Sequence, residues 1–372
     1  KGPVKSVVTI SSEEELVKTF GKPNGSNFEW WFTAANFLQY TDALKVVRCQ
    51  SAVVNAGANS GILIRDDDHY EDSFSAGQGS HGEWTARTGG TWGNSIGVQI
   101  CGTASAFEQQ LSTNNRVNDA STAIGDTEIV VDDADATGYA FNVGDLISFF
   151  SDANFTTPVD DEREYEVTAI AAGSDNDLTI RLADDPNGQG LVSIIPDNSY
   201  IRRRWRFSDL FDAPPGTSDW ATANARGELD ELHVAVYDKT GDITGFDVDV
   251  KGQRTSSVIE VFPAMSKNPS AKTTQGGNNY YADVIFRSSS FIYWTDHISA
   301  GSNWGTDIAT GTDYTLVSGV NVDTLTGGTD DYAVTAGELE LAYDKFADTE
   351  NLDINLVLGG PSSAVADTVA GH

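Results

Sequence analysis

The densest group of cations in this 372-residue chain is Arg202-Arg203-Arg204-Trp205-Arg206. Guanidinium groups so closely spaced can grip phosphates or carboxylates, because each offers a planar fork of donors. The phosphate use meets an opposing field: 55 Asp+Glu against 23 Lys+Arg give a formal net charge of −32, which repels a nucleic-acid backbone. Nucleic acid is therefore not expected as a partner. What remains for Arg202, Arg203, Arg204 and Arg206 is pairing with acidic surface, on the same subunit or a neighbouring one.

Other spacings that could carry chemistry read as loops. Gly77-x-Gly79-x-x-Gly82 has the letters of a dinucleotide fingerprint, yet it follows Asp72-Ser73-Phe74-Ser75 and runs into Glu83-Trp84-Thr85, with no helix to cap a pyrophosphate. Asp133-x-Asp135-x-Thr137-Gly138 opens like a calcium loop, but the position of the bidentate acid is held by Gly144, so a solvated acidic turn is expected. Asp66-Asp67-Asp68-His69 and His81 lack a second spaced histidine and are read as polar loop. None of the five histidines adjoins a nucleophile in a recognisable elbow, and paired carboxylates carry no information in so acidic a chain. No catalytic, cofactor or metal residue is assigned, and an enzyme is not expected.

Cys49 and Cys101 are the only cysteines, too few for a disulfide framework and without Cys-x-x-Cys spacing, so two buried free thiols are expected. No run of about 18 apolar residues is present, so no membrane span is expected.

The elements that must position these residues fall into blocks. Val7-Val8-Thr9-Ile10 and Leu44-Lys45-Val46-Val47-Arg48-Cys49 read as strands. Between them lie two helices, opened by the capping boxes Ser12-Glu13-Glu14-Glu15 and Ser26-Asn27-Phe28-Glu29, the second with Trp31, Ala34, Ala35 and Leu38 on one face. A third box, Thr335-Ala336-Gly337-Glu338, opens a helix followed by a strand-like segment at residues 352–359. One helix and one strand cannot form a core alone, so they are expected to dock on the N-terminal block.

Residues 111–200 hold 18 acidic and 3 basic residues, an excess of 15 that is almost half of the total. Five short β-branched runs are expected strands there: Glu128-Ile129-Val130-Val131, Asp145 to Phe150, Tyr165 to Ile170, Leu178 to Leu182 and Leu191 to Ile195. Further strands are expected at Ser95 to Cys101, Glu231 to Tyr237, Ser257 to Phe262 and Ser290 to Trp294, with a hairpin turn at Asp238-Lys239-Thr240-Gly241. The expected fold is α+β and multidomain. Residues 1–55 and 328–361 form a discontinuous α/β sandwich domain, 56–111 and 208–327 a β-rich middle domain, and 112–207 an acidic antiparallel β-barrel or sandwich insertion. Residues 362–372 form a loose C-terminal segment.

Several segments together carry a family likeness. Lys1-Gly2-Pro3-Val4, the stretch Ser11 to Pro23, Trp31 to Tyr40 and Leu44 to Arg48 resemble the N-terminal region of contractile-tail sheath proteins of myovirus-type phages, nearest to those of cyanobacterial myoviruses. Thr91-Trp92-Gly93-Asn94-Ser95-Ile96 is similar to the family's Trp-Gly-Asn strand start. Gly327-Gly328, Thr335 to Glu338, Phe346-Ala347-Asp348 and Leu352-Asp353-Ile354 resemble its later helix–strand unit.

The resemblance implies a structural subunit of a virion tail, assembled in the host cytoplasm as helically stacked hexameric rings and contracting by rigid-body movement of subunits. Implied partners are neighbouring sheath subunits, the tail tube protein, and baseplate and tail terminator proteins. No cofactor is implied. The family's N-terminal arm and large C-terminal domain have no counterpart here, so the chain is expected to be an excerpt of a longer polypeptide. The eight Trp, twelve Tyr and β-rich middle leave open an alternative, a host-recognition or glycan-binding tail protein.

Overall fold

The computed structural model describes residues 1–49, 52–77, 79–111, 116–132, 141–171, 176–183, 189–246, 257–298, 303–317, 319–348 and 350–358. In chain order its elements begin with β1 (Val7–Ile10), α1 (Glu13–Phe20), α2 (Phe28–Leu38), β2 (Leu44–Val47), α3 (Asp67–Ser73) and β3 (Trp84–Ala86). Then come β4 (Ile96–Cys101), α4 (Ala104–Phe107), β5 (Glu108–Leu111), β6 (Glu128–Val131), β7 (Leu146–Phe150), β8 (Tyr165–Ala171), β9 (Asn176–Leu182) and β10 (Tyr200–Arg204). The chain continues with α5 (Asp219–Ala223), β11 (Glu231–Asp238), β12 (Val258–Ser266), α6 (Tyr281–Ser288), β13 (Ile292–Trp294), β14 (Val320–Thr324) and α7 (Ala336–Tyr343). Helices and several antiparallel sheets share the chain, an α+β fold. It divides into two compact units: Lys1–Asn94 with Ser290–Asp296 and Leu325–His372, and Ser95–Ser289 with His297–Thr324.

In the first unit β1 and β2 pair antiparallel, with Ile10 opposite Leu44. The apolar stripes of α1 and α2 meet this ribbon in one core of Ile10, Leu16, Trp31, Ala35 and Leu44, against which Leu358 also packs. The Ser12 hydroxyl caps α1 by accepting from the Glu15 amide, but the Glu15 carboxylate accepts from Ser11 N–H at 2.8 Å, so the reciprocal half of the expected box is displaced by one residue. The box expected at Ser26 does not form. Asn27 stands at the N-cap of α2, and its side-chain oxygen is taken by the Asn24 amide in the preceding turn. At α7 both halves of the Thr335/Glu338 box are present.

The strand expected at residues 352–359 is absent from its described part, residues 352–358. A strand needs a neighbouring strand to bridge to, and among the described residues no β-bridge reaches that segment, whose Leu352 amide instead donates to the Asp348 carbonyl; Leu356 and Val357 stay exposed. Elsewhere in this unit β3 pairs with β13, and the Tyr70 ring of α3 stacks on Tyr293 at 4.5 Å while its hydroxyl donates to the Trp294 carbonyl.

The second unit holds two sheets. One has the order β12-β11-β4-β14, and β4, flanked on both sides, is buried along its whole length. Gly97 in β4 lies flat under the Tyr237 ring, where a Cβ would come within 2.3 Å of the ring, so only glycine fits. Cys101, Phe107, Trp205, Phe207, Phe211, Ala235, Tyr237 and Val320 belong to the core on this sheet. The tight hairpin expected after Asp238 is not formed. β12 begins only at Val258, and the Asp238 carboxylate instead gathers the amides of Gly241, Ile243 and Thr244 into a loop.

The other sheet is six-stranded and antiparallel, in the order β5-β10-β7-β8-β9-β6, and curls round a core of its own that includes Ile129, Phe149, Tyr165, Leu178 and Ile201. Among the described residues it is not a closed barrel: β5 and β6 are its edges, and the backbone of Arg116 to Asn118 bridges from the Val130–Asp132 stretch at the end of β6 to Asn198 and Ser199 before β10. Four of the expected strands are β6 to β9. The fifth, Leu191 to Ile195, is a loop. Leu191 and Ile195 fill the core as side chains while their backbones bond to Gly125, Asp126 and Thr122. Its place in the sheet is taken by β10, the strand that carries the arginines.

Candidate functional site

On β10, between β5 and β7, side chains alternate, so Ile201 and Arg203 share one face and Arg202 and Arg204 the other. The Arg203 guanidinium is buried. It donates to the Ser105 carbonyl at 2.9 Å and Gln109 Oε1 at 3.1 Å, and lies 3.6 Å from Asp145. Arg204 grips both oxygens of Glu164 and donates to Asp209 at 2.6 Å and Ser208 at 2.8 Å. Arg202 lies over the Phe150 ring and 3.7 Å from Glu162. Arg206 donates to Glu166, whose other oxygen takes Arg181 at 2.7 Å.

These contacts form a ladder. Arg202, Arg204 and Arg206 meet Glu162, Glu164 and Glu166, each set spaced by two, although Glu162 has a left-handed backbone (φ 58°), Arg206 lies in the turn after β10, and β7 separates β10 from β8. The acidic partners were missed from sequence, although Glu162-x-Glu164-x-Glu166 carries the same period as the arginines. Energetically the rungs differ. Arg206 and Glu166 are each 4% exposed, while Glu162 is 54% exposed, so the outer rung contributes little and the inner one matters for integrity. Arg202 and Arg204 also line an open groove of about 640 Å³ with Arg163 and the acids Glu108, Asp161, Glu162, Glu164 and Asp209.

The other candidates are placed apart from this ladder. Gly77 and Gly82 take positive φ in a loop with no helix after it, and Gly82 is in a close approach to Ala58. The Asp133 to Gly138 motif lies outside the described residues, as does Gln78 within the glycine loop. Asp66 caps α3 by accepting from the His69 amide and the Ser6 hydroxyl, and Asp67 takes Arg87 and the Tyr293 hydroxyl. His81 pairs with Ser60 at 3.0 Å. Among the described residues no group of three or more His, Cys, Asp or Glu is arranged to hold a metal ion.

Lys267 is a perturbed group that the sequence did not single out. It is fully buried over the Trp304 ring, and its ammonium donates to the carbonyls of Gly102, Leu229 and Glu231 at 3.1, 2.7 and 3.0 Å. Burial pulls its pKa down to about 8, but with three carbonyls on three N–H bonds it serves as a structural knot rather than a base.

The first unit presents apolar surface. Phe28, Trp30 and Phe32 of α2, Leu341 of α7, and Leu356 and Val357 are all at least 40% exposed. Among the described residues no helix is long and apolar enough to cross a membrane.

No family model matches the sequence. The chain is similar along its whole length to the tail sheath protein of Enterobacteria phage T4, at 22% identity and covering 54% of that protein. It is similar to the tail sheath protein of Salmonella phage ViI at 23% identity, over 88% of this chain and 46% of the relative. A shorter stretch, 18% of this chain and 12% of the relative, is 35% identical to the tail sheath protein of Vibrio phage KVP40. The chain thus spans about half the length of the relatives it matches most extensively, and all three bear the name of a structural tail component, not of an enzyme.

Proposed function

We propose that this chain is the structural part of a contractile phage tail sheath subunit, with no catalytic role. The observation that carries the reading is the similarity to the T4 tail sheath protein over the entire chain. In this account subunits form hexameric rings stacked helically round a tail tube, an arrangement built on heterologous contacts that continue along the axis without closing. Contraction is a rigid-body rotation and outward movement of subunits that drives the tube through the host envelope, with neighbours held by β-strand addition. The extended sheath is kinetically trapped, and newly buried interface lowers the free energy of the contracted one. Partners are other copies of the subunit, the tube protein, and baseplate and terminator proteins. The site of action is the virion tail after assembly in the host cytoplasm, and the cyanobacterial myoviruses are the nearest source.

The domain division at residues 55/56, 111/112, 207/208 and 327/328 is part of this proposal, as is a role for the Arg202, Arg203, Arg204 and Arg206 region in contacts to neighbouring subunits. Arg202 is the best placed of the four, with a side chain 23% exposed. A glycan-binding tail protein would need aromatic platforms open to sugar, and five of the eight tryptophans, Trp31, Trp84, Trp205, Trp294 and Trp304, are buried. Electron microscopy of the full-length protein tests the reading: hollow striated tubes support it, and discrete monomers or trimers favour the receptor-binding alternative.

A further inference from the structure

β11 and β12 do not run in step along their whole pairing. Leu232 faces Met265 and Val234 faces Phe262, so the single residue His233 stands opposite two, Pro263 and Ala264. This is a β-bulge, and it frees backbone groups that a regular ladder would satisfy. Pro263 has no N–H to place. Ala264 has one, and it holds a left-handed backbone at φ 45°, which a residue with a side chain rarely adopts.

Two side chains fasten Ala264 there. His233 Nδ1 accepts from its N–H at 2.9 Å, and Asn279 Nδ2 donates to its carbonyl at 2.9 Å. Beyond the bulge the Ser266 amide donates to the Asn279 carbonyl, so the far end of β12 is tied to the segment that leads into α6. The partners fix the tautomer of the ring. Nε2 lies 2.8 Å from the Ala213 carbonyl, which can only accept, so the proton sits on Nε2 and Nδ1 keeps the lone pair that Ala264 uses. The ring is 3% exposed, stacked on Phe211 at 4.5 Å and edge-on to Phe107 at 6.0 Å.

The titratable groups on the elements around it are already engaged or neutral. Cys101 is its pairing partner on β4, with a thiol held protonated by burial. Glu231, two places back on β11, takes the Gly216 amide, and Glu260 of β12 takes the Ser289 hydroxyl. Lys267, after β12, bonds three carbonyls, Asp212 is exposed beside Ala213, and α4 carries no titratable residue. Among the described residues none of these makes an ion pair with the ring. Burial pulls the ring below the ordinary value of 6.5, against the carbonyls of Ala213 and Leu232, which favour the proton. A proton on Nδ1 turns the acceptor of the Ala264 N–H into a second donor facing it.

We propose that His233 is an acid-sensitive latch: neutral, it holds the Ala264 bulge and with it the far end of β12 on Asn279; protonated on Nδ1, it lets both go. The open form takes the proton at the ordinary histidine value and the closed form only below it, so opening becomes easier as pH falls below 6.5. The latch is a property of the second unit and stands whether or not copies of the chain assemble into a sheath.

The test is amide hydrogen exchange of the full-length protein, read by mass spectrometry in peptides covering residues 258–266 and, for comparison, 96–101, at about pH 7.5 and about pH 5 after correction for intrinsic rates. In the native sequence the protection of β12 falls about tenfold at the lower pH while β4 keeps its own. His233→Asn, whose side-chain oxygen can stand where Nδ1 does and takes no proton, shows a fall of about twofold at most. His233→Gln keeps a donor for Ala213 but no acceptor for Ala264, and leaves β12 poorly protected at both pH values. Ala264→Gly adopts the left-handed backbone without strain, so it folds whatever the ring does, and its fall in acid is about twofold at most. Native β12 equally protected at both pH values overturns the latch, as does a fall that β4 shares or that persists undiminished in His233→Asn or Ala264→Gly. So does full protection of β12 in His233→Gln.

Discussion

Arg206 and Glu166, forty positions apart in sequence, face each other across buried ground, with the guanidinium donating to one carboxylate oxygen while Arg181 holds the other. This three-membered knot ties the curled, acidic sheet to the chain segment that leads into the Trp205–Phe207 core.

The knot is asymmetric, and its variants should show it. Glu166→Gln strands two arginines and is expected to cost about 3–5 kcal/mol. Arg206→Met leaves Glu166 still paired with Arg181 and costs less. The double variant should lie near Glu166→Gln alone, because both changes act on one interaction. Urea unfolding of the four proteins measures this, and additive losses would contradict it.

A second buried carboxylate gives a pH signature. Burial pushes Asp145 up to about 6, against the opposing pull of Arg203 at 3.6 Å. The folded pKa lies above the unfolded value of 3.8, so the native state holds the proton more tightly. The resulting stabilisation is fully present below pH 3.8 and is lost as pH rises through about 6. The stability difference between the native protein and Asp145→Asn should therefore shift against the native protein, by on the order of 3 kcal/mol, from pH 3.5 to 7. A difference that stays flat across that window would refute the assignment.

The two thiols should react in sequence. Burial pushes Cys101 up to about 12, so at pH 8 almost no thiolate exists, while half-buried Cys49 is also raised by burial. A thiol reagent is expected to titrate Cys49 slowly in the native state and Cys101 only after denaturant is added. Equal rates at both would show that the β4 core opens readily.

Much of this architecture is legible in the residues, and the failures have physical causes. β6 to β9 read correctly because β-branched runs between turn clusters have no competing structure. Leu191 to Ile195 reads as a strand by the same rule and is not one, since apolar side chains can fill a core from a loop whose backbone bonds elsewhere. β10 was hidden because its alternation is of charge, not of apolar residues, and its acids lie some forty positions upstream. The Arg202 to Arg206 run announced a need for carboxylates but not which ones.

The acidic sheet can be tested as a removable module. Leu111 and Ile201 are paired neighbours on β5 and β10, so a short linker can join them once residues 112–200 are deleted. That deletion removes nearly all of one hydrophobic core and none of the core containing Trp205, Phe207 and Tyr237. If the module only keeps virions apart through its charge, the deleted full-length protein should still assemble, and failure to form sheaths would contradict that role.

The central claim, that this chain belongs to a self-assembling contractile sheath, is met most directly by electron microscopy of the full-length protein. The account predicts hollow striated tubes with six subunits per ring, in a long narrow state and a short wide one. Particles that remain discrete monomers or trimers under all assembly conditions would contradict it.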